Sequence, residues 1–172
     1  MGVRSIAPCA ALLLLACSQQ SDDIVPKRAD EPVTKHSEAA SFRRVGNPFP
    51  EASEVRLFVD SGEYDGRGRA ILSSTEGRRL TDAQRTAFEA ALRIEPMPDA
   101  LDACFIPHHF FGYFDRNGRK VGEIEVCFCC EGVAVEPVDQ VSLRSNEILS
   151  ADYAALKRLV QSMGERTDIE CS

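Results

Sequence analysis

The sequence predicts an α+β fold: a small antiparallel sheet with a central Asn-Gly hairpin, covered on one face by two helices. Three observations predict it. Residues 54–60 alternate apolar and polar side chains, as a strand with one buried face does. Asn117-Gly118 is the strongest short-range hairpin signal in the chain. Residues 80–94 and 150–164 space their apolar side chains as amphipathic helices do, so each offers one face to a sheet.

The first half of the predicted domain contains two strands and a helix. Residues 54–60 form the first strand, and residues 68–74 follow a Gly-rich turn as its expected partner. The helix of residues 80–94 begins with a capping box, because Thr81 and Gln84 stand three positions apart. Its predicted buried face contains Phe88, Ala91 and Leu92.

The second half contains the hairpin, a further strand and a closing helix. The hairpin covers residues 108–129, and residues 132–137 predict a short strand after it. We expect the closing helix, residues 150–164, to be capped by Ser150. Its predicted apolar stripe contains Leu156, Leu159, Val160 and Met163.

The length of the hairpin turn decides which residues lie opposite each other. A two-residue Asn-Gly turn places His108 opposite Cys127. A three-residue turn with Gly118 in the left-handed conformation places Cys104 opposite Cys130 instead. Either register brings one group of side chains to the open end of the hairpin: Cys104, His108, His109, Cys127, Cys129 and Cys130.

The start of the chain has the layout of a secretory signal. A positive charge at Arg4 precedes an apolar stretch, residues 6–16, that is too short to span a membrane. The letters LLAC, which end at Cys17, resemble a bacterial lipobox. The resemblance implies that residues 1–16 are removed and that Cys17 is acylated and anchors the protein in a membrane. Ser18 after the cysteine favours the outer membrane.

The rest of the chain divides into a tether and one domain. Residues 17–50 show no hydrophobic period, which predicts a disordered tether after the lipidated cysteine. Residues 51–172 are long enough for a single domain with its own core. With 27 Asp+Glu against 20 Lys+Arg and no basic patch, the chain is not expected to bind nucleic acid. Its expected partners are the membrane, through Cys17, and another protein of the envelope.

The cysteine-rich stretch also resembles a group of small, uncharacterised bacterial proteins that are often exported. Their shared core reads Cys-aromatic-x-Pro-x-His, then a hairpin, then Ile/Val-Cys-Phe-x-Cys. The match falls on Cys104, Phe105, Pro107, His109, Cys127, Phe128 and Cys130. The resemblance implies that three cysteines and one histidine belong together, and it brings no activity with it. Cys129 fills a variable position of the pattern, and His108 is expected to be a surface residue.

Three uses of these cysteines stay open, and the first is a set of structural disulfides. Exported proteins live in an oxidising compartment, where disulfides persist. Of the seven cysteines, Cys9 lies in the signal and Cys17 takes the lipid, so five remain. Five thiols cannot all pair, so this alternative leaves one thiol to be explained.

The second alternative is a metal site. Cys104, His109, Cys127 and Cys130 have the spacing Cys-x₄-His and Cys-x₂-Cys, which suits zinc or copper. Cys129 then pairs with Cys171 in a disulfide, and every thiol has a role. In this alternative the cofactor is a bound zinc or copper ion.

The third alternative is thiol redox chemistry at Cys127 and Cys130. Redox Cys-x-x-Cys pairs usually precede a helix, whose N-terminus lowers a thiol pKa. Here Glu131-Gly132 and a strand follow instead.

These observations predict a lipoprotein of the outer membrane that faces the periplasm. We expect its domain to be a cysteine-stapled binding or structural module and not an enzyme. The alternative is a metal-binding or thiol-redox protein of the cell envelope.

Overall fold

The computed structural model describes residues 42–67, 69–100 and 104–169, and these residues build two antiparallel sheets and two helices. The α+β class is thereby confirmed. The strands are β1 (Arg43–Arg44), β2 (Glu54–Tyr64), β3 (Ala70–Leu72), β4 (Arg78–Arg79), β5 (Leu92–Pro96), β6 (His109–Phe114), β7 (Lys120–Cys127), β8 (Gly132–Glu136) and β9 (Glu147–Ala151). The helices are α1 (Asp82–Ala91) and α2 (Tyr153–Ser162).

The larger sheet has six strands and contains the predicted hairpin. Its order is β3-β2-β6-β7-β8, and the short β4 pairs with β2 as well. The second sheet has three strands in the order β1-β5-β9. The hairpin strands β6 and β7 are therefore central in the larger sheet, while β8 lies at its edge.

The first helix confirms its predicted start and corrects its predicted end. Thr81 caps α1, and the capping box with Gln84 is present. The helix stops at Ala91 and not at residue 94, because Leu92 begins strand β5. Leu92 and Ile94 are both buried, which is the alternation of a strand and overrides the helical spacing.

The second helix begins later than predicted. Asp152, and not Ser150, caps α2, and its carboxylate accepts a hydrogen bond from the backbone N–H of Ala155. Ser150 is buried in strand β9, which the sequence did not predict. The apolar stripe is otherwise confirmed: Leu156, Val160 and Met163 are buried and Leu159 is partly buried.

Both predicted hairpin registers occur, each in one part of the hairpin. Next to the turn, Phe114 lies opposite Lys120, and Gly118 has a φ of 75°, as in the three-residue turn. The register then shifts by one residue, and His109 lies opposite Val126, as in the two-residue turn. A bulge on β7 accounts for the shift, since it adds one residue to one strand only.

The domain begins earlier than residue 51. Phe49 is fully buried, and its ring centroid lies 4.6 Å from that of Tyr113. Strand β1 pairs Arg43 with Ile94 of β5. The predicted tether therefore ends too late, because its last residues belong to the folded domain. The predicted signal and Cys17 lie outside the described residues.

The helices bury their apolar faces in a core that they share with the sheets. Phe88 of α1 stacks on Phe111 of β6, with ring centroids 3.8 Å apart. Leu156 and Val160 of α2 are fully buried in the same cluster. Neither helix in the described part of the chain has the length and apolar character needed to cross a membrane.

Candidate functional site

The cysteines gather in the tight turn that joins β7 to β8. Cys127 ends β7 and lies opposite Gly132, the first residue of β8. Four residues make the turn, and the last of them, Glu131, has a φ of 48°. That left-handed conformation costs a residue other than glycine of order 1–3 kcal/mol, so the surrounding structure has to hold it. The turn is therefore a strained one that places two sulfurs side by side.

The Cys127 and Cys130 sulfurs are close enough to become bonded. Their Sγ atoms lie 2.7 Å apart, and a disulfide bond is about 2.05 Å long. The Cys129 sulfur is further away, 3.6 Å from that of Cys127. The Cys-x-x-Cys pair of the sequence is thus closer than the pair Cys127 and Cys129.

The environment of Cys127 favours a thiolate. Burial raises the pKa of this thiol, but hydrogen bonds from the Cys130 thiol and from backbone N–H groups lower it by more. The backbone donors belong to Cys130, Ile106 and Cys129. The net pKa of Cys127 is therefore below its ordinary value, although the residue is fully buried.

Cys130 has the opposite character. Burial raises the pKa of its thiol to about 12, and hydrogen bonds with the Cys127 and Cys104 thiols act in the same direction. Its S–H group donates to the sulfur of Cys127 and lies 3.2 Å from the carbonyl oxygen of Cys104. One sulfur of the pair is thus suited to carry negative charge and the other to carry a proton.

Cys104, in the segment before β6, is the third cysteine of the sulfur cluster. It precedes β6 and is exposed, whereas Cys130 is half-buried and Cys127 is buried. The phenyl ring of Phe105 covers Gly132, where an added Cβ would meet Cδ2 of the ring at 2.5 Å. This ring contact holds the Cys104 segment against the turn.

The ring of His109 has partners other than the sulfurs. Its Nε2–H donates to the carbonyl oxygen of Arg166 at 2.7 Å, and its ring meets Phe128 edge-on, 4.7 Å between centroids. Burial lowers the pKa of this histidine to about 4. The three cysteines of the predicted metal set come together, while the histidine holds the segment after α2. Within residues 42–67, 69–100 and 104–169, no three His, Cys, Asp or Glu side chains are arranged to hold a metal ion.

A second polar pair was not predicted. His108 is buried and not on the surface, and its Nδ1–H donates to Oδ2 of Asp60 at 2.8 Å. Asp60 is buried as well, and its other oxygen accepts the backbone N–H of Gly62. The sequence alone does not reveal this pair. It follows only when β2 is paired with β6, because that pairing brings Val59 opposite His109 and so Asp60 next to His108.

The predicted disulfide between Cys129 and Cys171 stays a prediction. Cys171 lies outside the described residues. Within them, the Cys129 sulfur lies 4.0 Å from the carbonyl oxygen of Ile169. The last described residue of the chain therefore touches the cysteine turn.

Comparison with other proteins adds no relative. No protein-family model, no curated protein and no solved structure matches this chain.

Proposed function

We propose that the chain is a lipid-anchored protein of the cell envelope whose domain carries a reversible thiol–disulfide couple, Cys127 and Cys130. One observation supports this proposal above the others. The two sulfurs lie 2.7 Å apart, and their pKa values are shifted in opposite directions. A thiolate beside a protonated thiol is the reduced state of a couple that is ready to form a disulfide.

The hairpin turn supplies what a helix N-terminus supplies in other Cys-x-x-Cys sites. A helix lowers the thiol pKa with its unpaired backbone N–H groups. Here the N–H groups of Cys129, Cys130 and Ile106 play that part toward Cys127. A strand after the pair is therefore no obstacle to redox chemistry in this turn.

A redox titration tests the couple. The full chain, extracted in detergent, is equilibrated in buffers of defined dithiothreitol ratio, quenched with a maleimide and weighed by mass spectrometry. We expect one transition in which two maleimide masses appear together, since two thiols share two electrons. The Cys130→Ser variant should lack this transition, and the neighbouring Cys129→Ser variant should keep it.

The other uses of the cysteines would give different results. A structural staple predicts that Cys127 and Cys130 stay bonded until the domain unfolds, with no midpoint in the folded protein. A metal site predicts that zinc or copper is found in the native mass and that chelation exposes three thiols together. Either result would overturn the redox proposal.

The anchor has its own test. The proposal places the lipid on Cys17, because only a thiol accepts the diacylglycerol of a lipobox. Cys17→Ser should release the protein from the membrane fraction, while Cys9→Ser, the matched change inside the signal, should leave it there. A Cys17→Ser protein that stays with the membranes after a high-salt wash would contradict the anchor.

We also propose that Cys129 is linked to Cys171. The contact between the Cys129 sulfur and Ile169 supports this pairing, because Cys171 follows two residues later. The bridge closes a loop of about 40 residues, which the chain-entropy model values at roughly 3–4 kcal/mol. Non-reducing peptide mapping should recover one peptide that contains both cysteines. Recovery of Cys171 alkylated before reduction would contradict the bridge.

A further inference from the structure

The three cysteines of the site differ in their exposure to solvent. Cys104 is exposed, Cys130 is half-buried and Cys127 is buried. Cys130 is the link, because its thiol is hydrogen-bonded to both of the others. A large partner can reach Cys104 but cannot reach Cys127, so exchange with a partner has to pass along this row.

A groove of about 480 Å³ lies between the two sheets, and its lining includes Cys130 and Phe105, the residue that follows Cys104. One wall is strand β8 and the other is the first three residues of strand β9. Exposed apolar side chains are concentrated here: Met97, Phe105, Val138 and Leu143, four of the eight large ones in the described residues. Such a concentration on a soluble surface marks a site for a partner.

Both walls of the groove are edges of sheets. Strand β8 pairs with β7 on one side only, and strand β9 pairs with β5 on one side only. An edge strand presents unpaired N–H and C=O groups that an extended peptide can bind. The apolar lining and the two strand edges together fit an extended polypeptide, since it brings both apolar side chains and backbone groups.

We propose that Cys104 is the thiol that exchanges with a cysteine-containing polypeptide bound in this groove, and that it passes the exchange to the Cys127–Cys130 couple. The proposal rests on the proposed function, because it needs the couple. It adds the substrate class, an extended apolar segment that carries two thiols. It also explains why an odd number of cysteines remains in the domain.

The reaction balances in three exchanges that start from the disulfide form of the couple. First, the Cys104 thiolate attacks the Cys130 sulfur, the bond to Cys127 breaks, and Cys127 leaves as a thiolate. Second, a thiolate of the polypeptide attacks the Cys104 sulfur, and Cys130 leaves and takes up a proton. Third, the other thiolate of the polypeptide attacks the mixed disulfide and releases Cys104. The polypeptide has lost two electrons, which the couple has gained.

The direction of the first exchange agrees with the environment of the sulfurs. Cys104 contacts Cys130, so Cys130 is the sulfur it attacks. Cys127, with its lowered pKa, is then the leaving group, and a thiol of low pKa leaves faster. Both observations make Cys130 the sulfur that is attacked and Cys127 the sulfur that leaves.

A peptide with a single cysteine tests the proposal, because it cannot complete the third exchange. The oxidised full chain is mixed with the peptide Val-Ile-Cys-Ile-Val, quenched with a maleimide and mapped by mass spectrometry. We expect the peptide on Cys104 and at least a tenfold slower reaction of Asp-Ser-Cys-Ser-Asp. The Cys104→Ser variant, checked for folding by its unfolding transition, should form no adduct.

The groove is tested by one substitution and a matched control. Val138→Asp should slow the apolar peptide about tenfold, while Ile71→Asp, also at an exposed apolar residue but on β3, should not change its rate. The peptide found on Cys130, a Cys104→Ser variant that still reacts, or equal rates for the two peptides would each overturn the proposal. A chain with a redox midpoint and no adduct refutes Cys104 alone, whereas a chain without a midpoint refutes the couple itself.

Discussion

The two ends of strand β7 carry turns that use the same device with different chemistry. At one end, the Asp115 carboxylate accepts the backbone N–H groups of Asn117 and Arg119, and Gly118 takes the positive φ. At the other end, the sulfur of Cys127 accepts backbone N–H groups, and Glu131 takes the positive φ. A carboxylate and a glycine hold the first turn without strain, while the second turn uses residues that serve its backbone less well.

The difference fits the proposed function, in which the first end serves stability and the second serves thiol chemistry. A thiol is a weak hydrogen-bond acceptor, so a turn that needs only an acceptor gains nothing from it. Residues in costly backbone conformations concentrate at functional sites, where the surrounding structure holds them. An aromatic ring covers a glycine near each end, and the two rings follow the same division. The ring of Phe49, over Gly122, is fully buried, and the ring of Phe105, over Gly132, is exposed.

The largest expected effect is a loss of folding stability at low pH that comes from the thiol end of β7. His109, at the thiol end, has a pKa of about 4 in the folded protein because it is buried, and about 6.5 when unfolded. Its contribution to stability is present above pH 6.5 and is lost as the pH falls to 4, by about 3 kcal/mol. Urea unfolding between pH 7 and 4 should show this loss, and His109→Gln should reduce it. Equal acid sensitivity in both proteins would contradict the assignment.

The second effect concerns the glycines under the aromatic rings. Gly122→Ala should cost about 2–3 kcal/mol, because the new methyl group would overlap the buried ring of Phe49. Gly132→Ala should cost less than about 1 kcal/mol, since the ring of Phe105 has room to move outward. Thermal unfolding of the two variants measures the difference. A larger loss for Gly132→Ala would reverse the comparison.

A smaller effect compares the two acceptors. Cys127→Ala should cost about 2 kcal/mol, because it removes a fully buried side chain and leaves backbone donors unpaired. Asp115→Ala should cost about 1 kcal/mol, since its donors turn to water. Both proteins are unfolded in urea under reducing conditions, so that no disulfide contributes. Equal losses would mean that the acceptor, and not its burial, decides the effect.

The smallest effect tests the strain itself. Glu131→Gly should stabilise the domain by about 0.5–1 kcal/mol, because glycine adopts a positive φ without a steric penalty. Gly118→Ala, the reverse change in the other turn, should destabilise it by about 1 kcal/mol. The control is Glu63→Gly, an exposed residue of β2 with no positive φ. Destabilisation of Glu131→Gly beyond that control would show that the Glu131 side chain matters more than its backbone.

Much of the fold follows from local signals. The Asn117-Gly118 turn, the capping box of Thr81 and Gln84 and the apolar stripe of α2 all depend on residues close in the chain, and all are confirmed. Strand β5 was missed because Leu92 fits both a helix face and a strand alternation. Only its pairing with β9, far along the chain, decides between them.

Prediction of the site from the sequence has the same limit. The gathering of Cys104, Cys127 and Cys130 follows from hairpin register, which a turn sequence specifies. The direction of His109 does not, because its partner is the backbone of Arg166, beyond the second helix. The burial of His108 likewise depends on Asp60, which a different strand brings to it. Register places residues, but only tertiary packing decides where a ring nitrogen points.

The short strand β1 decides how the domain responds when its N-terminal side is pulled. Two residue pairs with β5, the ion pair between Arg43 and Glu147 and a hydrogen bond from Arg43 to the carbonyl oxygen of Ser142 hold this strand, whose two residues are exposed. Behind it, Phe49 is fully buried and resists extraction. We therefore expect a pull on the N-terminal side to release residues 43–48 first, which extends the chain by about 20 Å. The core and the cysteine turn stay intact. Strand β1 is therefore the first element that a pull on the N-terminal side would detach.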